Sequence, residues 1–258
     1  MPKLVKLLTN TLELLHKQIA VYAKEWQHQK NPEALHNLRI SLRQLRSLLN
    51  PLRSEINEFK TLDQFSKKII TATNRIRDIE VLIVELKRQQ KLEIATSYEQ
   101  KLREYFLDIS QHFKFESVIL SLNKLSSDWQ KSITPNVSHK LEHHIAQHWQ
   151  KQSHKLFKLL QQNDPDKHRL RILIKHLRYQ SEIYRALLPK QATQQTEQLK
   201  KLQDLLGNWH DYYVWLNDAN QNQCQELKIL IPIWSEQLKY WEEQSDQALK
   251  KLKLKHFI

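Results

Sequence analysis

Leu35–Arg46 reads LHNLRISLRQLR, and far downstream Lys167–Tyr179 reads KHRLRILIKHLRY. At about 100° per residue, Leu35, Leu38, Leu42, Leu45 and Leu49 fall along one side of a helix, and His36, Arg39, Arg43 and Arg46 occupy a neighbouring arc of about 80°. The phrase describes an amphipathic helix with a leucine face to bury and a cationic edge beside it. Its second copy sets Leu170, Ile174 and Leu177 next to His168, Arg171, Lys175 and Arg178. At the same offset Arg53 falls on Arg185. One further residue of offset lays KKIITATNRIRDIEV (Lys67–Val81) over KKLQDLLGNWHDYYV (Lys200–Val214), matching Lys67 and Lys68 to Lys200 and Lys201, and Asp78 to Asp211. A repeat this long indicates two copies of a helical bundle, not a solenoid of short units.

The rest of the chain agrees with helix. Leu, Lys, Gln and Glu dominate and there is a single glycine among 258 residues, a mixture that favours helix and starves hairpin turns. Spacings such as Leu4, Leu8, Leu12 and Leu15 recur throughout. The expected class is all-α. Breaks are expected at QKNPE (Gln29–Glu33), Asn50-Pro51, KSITPNVS (Lys131–Ser138), QNDPDK (Gln162–Lys167), LLPKQ (Leu187–Gln191) and LIPIW (Leu230–Trp234). The whole of 1–258 reads as one domain. It divides into halves 1–134 and 135–258 of about four helices each, joined near Pro135.

Several function classes are excluded by composition. One glycine, Gly207, cannot build a glycine-rich phosphate loop, a dinucleotide fingerprint or a nucleophile elbow, each of which needs several positions without a Cβ. One cysteine, Cys224, excludes an internal disulfide and a cysteine-based zinc site and fits a reducing compartment. The first residues carry polar or charged side chains every few positions, and no run approaches a membrane span, so a cytoplasmic protein without membrane insertion is expected. Lys and Arg number 41 against 28 Asp and Glu, a formal charge of +13 and a pI near 9.6. This excess suits a polyanionic partner: nucleic acid, an anionic surface or polymeric phosphate.

The cationic edge narrows the choice. A run of arginines is commonly a solvated face balanced by acids one turn away, but Arg39, Arg43 and Arg46 have few such acids on their own helix, and like charges at this spacing repel. The edge is about 15 Å long, too long for one phosphate and suited to a chain of them. Guanidinium groups present planar forked donors that match phosphate oxygens, and histidine adds a donor whose charge changes near neutral pH. Two such edges suggest two helices facing one another across a single channel.

The pattern His-x-x-Arg-x-x-x-Arg/Lys-x-x-Arg, with RIRDIEV after a two-lysine helix and LQDLLGNWHDYYV as its later counterpart, resembles the CHAD family, the conserved histidine α-helical domain. The resemblance covers essentially the whole chain. It implies a pair of pseudo-twofold-related four-helix bundles with a basic central channel that binds inorganic polyphosphate without catalysis. Carried over position by position, the ligands are His36, Arg39, Arg43, Arg46 and Arg53, then His168, Arg171, Lys175, Arg178 and Arg185. The sequence departs from the pattern where Pro51 interrupts the chain before Arg53, and where His210 stands in place of an expected arginine.

Other basic residues are secondary candidates. Lys67, Lys68, Lys200 and Lys201 repeat between the halves; Arg75 and Arg77 have Asn208 and His210 opposite them; Lys151 and Lys155 form a further row with Lys158. Asp78 and Asp211 read as structural acids that hold a basic side chain. The run His139–His154 contains histidines at i, i+4, a spacing that can chelate zinc, but no carboxylate or cysteine completes a tetrad, so neither a metal nor another cofactor is expected. Most tryptophans and tyrosines fall where helices need bulk. The expected function is non-enzymatic binding of polyphosphate, with association to polyphosphate-containing granules as an accompanying expectation. Its rivals are nucleic-acid binding and a polyphosphate-directed phosphohydrolase, which would need acids to hold divalent metal.

Overall fold

The computed structural model describes residues 3–29, 32–112, 119–124, 135–221 and 225–252, and every regular element among them is helical. Helix α1 (Lys3–Gln29) buries Leu4, Leu8, Leu12, Leu15, Ile19, Ala23 and Trp26, which share one face at helical spacing. That face packs on α2 (Pro32–Leu49), whose Leu35, Leu38, Leu42, Leu45, Leu48 and Leu49 are fully buried. Each such leucine contributes about 1.5–3 kcal/mol of burial, so the leucine face fixes which way the cationic edge points. Helix α2 ends at Leu49 because a residue before proline is disfavoured in the α region. Arg53 therefore lies past the helix end, in the turn at residues 50–55.

Helices α3 (Asn57–Ala72) and α4 (Asn74–Arg88) follow. The joint between them, at Thr73, carries no proline or glycine and is not among the expected breaks. It is made by a side chain from α2: the Arg39 guanidinium occupies the carbonyl end of α3, as described below. Helix α5 (Leu92–His112) packs on α4, and its Phe106 sets an edge against Trp26 of α1 with ring centroids 4.9 Å apart. The α4–α5 turn is a Schellman motif built on a non-glycine residue. Gln90 has φ 58°, Lys91 N–H donates to Leu86 O at 2.9 Å, and Gln90 N–H donates to Lys87 O at 3.0 Å.

Contacts gather the chain into two units, Met1–Ile145 and Ala146–Ile258. The division falls inside α6 (Pro135–Leu160), which begins at the proline expected to start the second half; residues 125–134 lie outside the described residues. In the second unit, Trp149 of α6 donates to Ser181 Oγ at 3.0 Å. Helix α7 (Lys167–Ile183) starts at QNDPDK as expected, with Asp166 as N-cap accepting from Arg169 N–H at 3.0 Å. A short α8 (Lys190–Gln194) leads into α9 (Thr196–Asn220). A 3-10 turn (Gln225–Leu230) then enters α10 (Ile231–Lys250), which has a proline in its first turn. Helix α9 packs on both α7 and α10. Leu170, Ile174 and Leu177 are fully buried, Trp215 meets Trp234 at 5.5 Å between centroids, and Lys167 bridges Glu242 and Asp246 at 3.1 Å each. Among the described residues no helix is long and apolar enough to cross a membrane.

Candidate polyanion-binding faces

With its leucines buried against α1, the α2 helix lays His36, Arg39, Arg43 and Arg46 along the side that meets α3 and α4. Arg39 is only 3% exposed. Its Nη1 donates to Ile70 O at 2.8 Å and to Thr73 Oγ1 at 2.6 Å, and its Nη2 donates to Asn74 Oδ1 at 2.8 Å. A carbonyl in the last turn of α3 has no intrahelical donor, and a cation there is favourable. Arg39 is thus a clasp across the α3–α4 joint. Burial, then the charge of Arg43, pushes its pKa down to about 10, so it remains charged at neutral pH.

Arg46 and Arg53 share one acid. Arg46 Nε lies 2.8 Å from Asp63 Oδ1, and Arg53 Nη1 lies 2.9 Å from Asp63 Oδ2. This corrects the expectation that the first stripe is short of acidic partners, because that expectation weighed only the acids on α2, whereas Asp63 comes from α3. The missed residue had a signal. Phe59, Leu62, Asp63, Ser66 and Ile69 form the buried side of α3, and an acid at a core position requires a cationic partner. The same reasoning finds Glu80, buried on α4 and 3.2 Å from Arg77.

On the α7 helix, Arg178 is similarly engaged: Nε donates to Gln203 at 2.9 Å, Nη1 donates to Glu182 at 2.5 Å, and the guanidinium lies 4.1 Å from the Tyr179 ring centroid. Arg171 and Lys175 are half-buried, and His168 and Arg185 are exposed, with Arg185 past the helix end. The ring of His168 meets that of His210 on α9 at 5.2 Å between centroids.

The two faces share an electrostatic signature. His36 has its pKa lowered from 6.5 by burial, then Arg77, against a smaller opposing pull from Glu33, with Arg43 and Arg39 adding to the fall. His210 is lowered further, to about 4, by burial, Arg171, His168 and Lys175. Burial is the larger cause at both rings, and the cations beside them add to it; those cations make the local potential positive, the condition for attracting an anion.

The family model described as CHAD domain matches residues 10–217. The chain belongs to the CHAD domain family. A crystal structure of the CHAD domain from the plant Ricinus communis is similar over 98% of this chain and 90% of that one, at 21% identity and a TM-score of 0.71. No curated protein matches the chain.

The remaining candidates lie on α3, α4, α6 and α9 of this CHAD domain. Lys67 and Lys68 are exposed on α3, and Lys151 and Lys155 are exposed on α6. Lys200 and Lys201 line a shallow groove along α9 together with Glu197 and Asp204, acids that dilute their charge. Arg75 is exposed, whereas Arg77 is half-buried in its pair with Glu80. Asp78 acts on Arg39, raising its pKa against the surrounding cations. Within the histidine run, His144 Nε2 lies 3.9 Å from Glu55 Oε1 and His148 lies 3.4 Å from Gln152. Among the described residues no three His, Cys, Asp or Glu side chains gather as a metal site. Cys224 lies outside the described residues.

Proposed function

We propose that this CHAD domain binds inorganic polyphosphate, without converting it, on the cationic faces of α2 and α7. The observation that carries the reading is the gathering of Arg39, Arg43 and Arg77 about His36 and of Arg171, Lys175 and His168 about His210, cations that a phosphate chain would neutralise. The ligand set is His36, Arg39, Arg43, Arg46 and Arg53 with His168, Arg171, Lys175, Arg178 and Arg185. Within it, Arg39 acts from behind the surface through its charge, and Arg46 and Arg53 meet phosphate in competition with Asp63. Chemistry on a phosphoanhydride would call for acids holding divalent metal. Of the acids beside these cations, Asp63, Glu80 and Glu182 are instead engaged with Arg46 and Arg53, Arg77, and Arg178. We place this binding in the cytoplasm, with polyphosphate granules as its setting.

The test is a titration of the full chain with polyphosphates of defined length, in competition with single-stranded DNA. Polyphosphate should displace DNA at comparable phosphate concentration, and log K should fall with log salt by about 0.7 per phosphate neutralised, by analogy with single strands. Substituting Arg43 and Arg171 together should weaken binding far more than substituting Lys200 and Lys201. Displacement in the opposite direction favours a nucleic-acid partner, and phosphate release with Mg²⁺ or Mn²⁺ overturns the non-enzymatic reading.

A further inference from the structure

The repeat that matches Lys67 with Lys200 also matches Arg77 with His210 and Glu80 with Tyr213. In the first unit the two positions carry opposite charges and close an ion pair at 3.2 Å. In the second they carry an imidazole and a phenol, which sum to the same zero charge at neutral pH. In the second, a proton taken by the imidazole adds a positive charge at the position where the first already carries the Arg77 guanidinium.

The surroundings of His210 are built for that gain to await a ligand. Its ring lies half-buried in the middle of α9, 5.2 Å from the exposed ring of His168 and tilted 50° to it. The ring of Trp209 lies 6.4 Å from it, itself stacked on Tyr213 at 5.4 Å. Nδ1 of His210 is buried with no hydrogen-bond partner, so no protein acceptor there stabilises an imidazolium. The charged groups acting on the ring are Arg171, His168 and Lys175, all from α7. Asp211 follows it on α9 and is half-buried. Helix α10 sends Glu242 and Asp246 toward α7, but both close on Lys167. The 3-10 turn carries Glu226 and Lys228, of opposite charge. A divalent cation would be repelled by Arg171 and Lys175. A phosphate chain would bring negative charge to both rings at once.

We propose that His168 and His210 form a proton-taking pair that binds a phosphate chain together with Arg171 and Lys175, with His210 as a ligand in the place that Arg77 holds in the first unit. The pair rests on the polyphosphate reading above and adds a consequence to it: binding at the second face draws a proton from solvent through this pair, as binding at the first does through His36. Polyphosphate capture by the second face therefore strengthens on acidification.

The experiment is calorimetric titration of the full chain with long-chain polyphosphate, whose few end groups contribute little to the proton count. It is run at about pH 7.5 and about pH 5.5 in buffers of different ionisation enthalpy. The wild type should take up protons on binding and bind about tenfold tighter at the lower pH. His210→Gln should lose a large part of that uptake and of the tightening while still binding at the higher pH. His210→Arg, which writes the first unit's residue into the second, should bind more tightly than wild type at about pH 7.5 and show a flatter pH response. His36→Gln serves as the control for the other face and should leave the contribution of His210 intact. Thermal unfolding at the higher pH confirms that each variant is folded. Proton uptake and pH response unchanged in both His210 variants would overturn the pair while leaving polyphosphate binding in place. Absence of wild-type binding at either pH overturns the functional reading and the pair with it.

Discussion

The α2 and α7 faces are written with nearly the same residues but hold them by different means. On α2, Arg39 is buried as a clasp on the α3–α4 joint, and Arg46 and Arg53 converge on the buried Asp63. On α7, Arg178 leans on amide, aromatic and half-exposed acid partners, and His168 faces a second histidine. The same cationic phrase thus acts partly as internal scaffold in one unit and remains nearer the surface in the other. A basic residue at a repeated position has no single role, because its role is set by what the next helix brings to it.

The sharpest way to break this comparison is at the matched pair Arg39 and Arg171. Arg39→Met keeps the stem but strips the donors from Ile70 O, Thr73 and Asn74, and should cost about 2–4 kcal/mol in chemical denaturation. Arg171→Met, at a half-buried position, should cost clearly less; equal losses would show that both residues are clasps. Next in size is Asp63→Asn. Losing two ion pairs at a buried acid should destabilise by about 1–3 kcal/mol. Because Arg46 and Arg53 are released, polyphosphate should bind more tightly, and weaker binding would mean that Asp63 orients them for the ligand.

A third effect follows from pH. The folded-state pKa of His210, about 4, lies below its ordinary 6.5, so the unfolded chain takes the proton first as pH falls. Stability should therefore drop between about pH 6.5 and about pH 4, with His36 contributing in the same direction from its own lowered pKa. Glu80, whose pKa is raised by burial against the pull of Arg77, opposes this at the acidic end. Thermal melts of His210→Gln should show a shallower decline than wild type, and added polyphosphate should flatten the wild-type curve.

The smallest effects lie outside both faces and calibrate the rest. Gln90→Gly removes a side chain from a left-handed position and should stabilise the first unit by about 1 kcal/mol. Gly207→Ala, where an added Cβ meets nothing within 4 Å, should stabilise α9 by about 0.5–1 kcal/mol. If Gly207→Ala instead weakens polyphosphate binding, the open space beside Gly207 belongs to the ligand.

The helical class, the helix breaks at Asn50-Pro51 and QNDPDK, the leucine faces and the repeated cationic stripe were all legible in the amino-acid order. They follow from local periodicity and from residues that cap or break a helix where they stand. The partners of the arginines were not legible in the same way. Asp63 could be suspected as an acid on a buried face, but which arginines it would hold depended on α3 lying beside α2 and on the turn after Leu49 bringing Arg53 back. The Thr73 joint has no proline or glycine to announce it, since a side chain from α2 supplies the donor. Likewise His210 became a candidate only when α7 and α9 packed and its ring met that of His168. Sequence determines which charges each helix carries, because helical spacing is local; the tertiary structure decides which of them are neutralised, because an ion pair needs two groups within a few ångströms and those groups come from different helices.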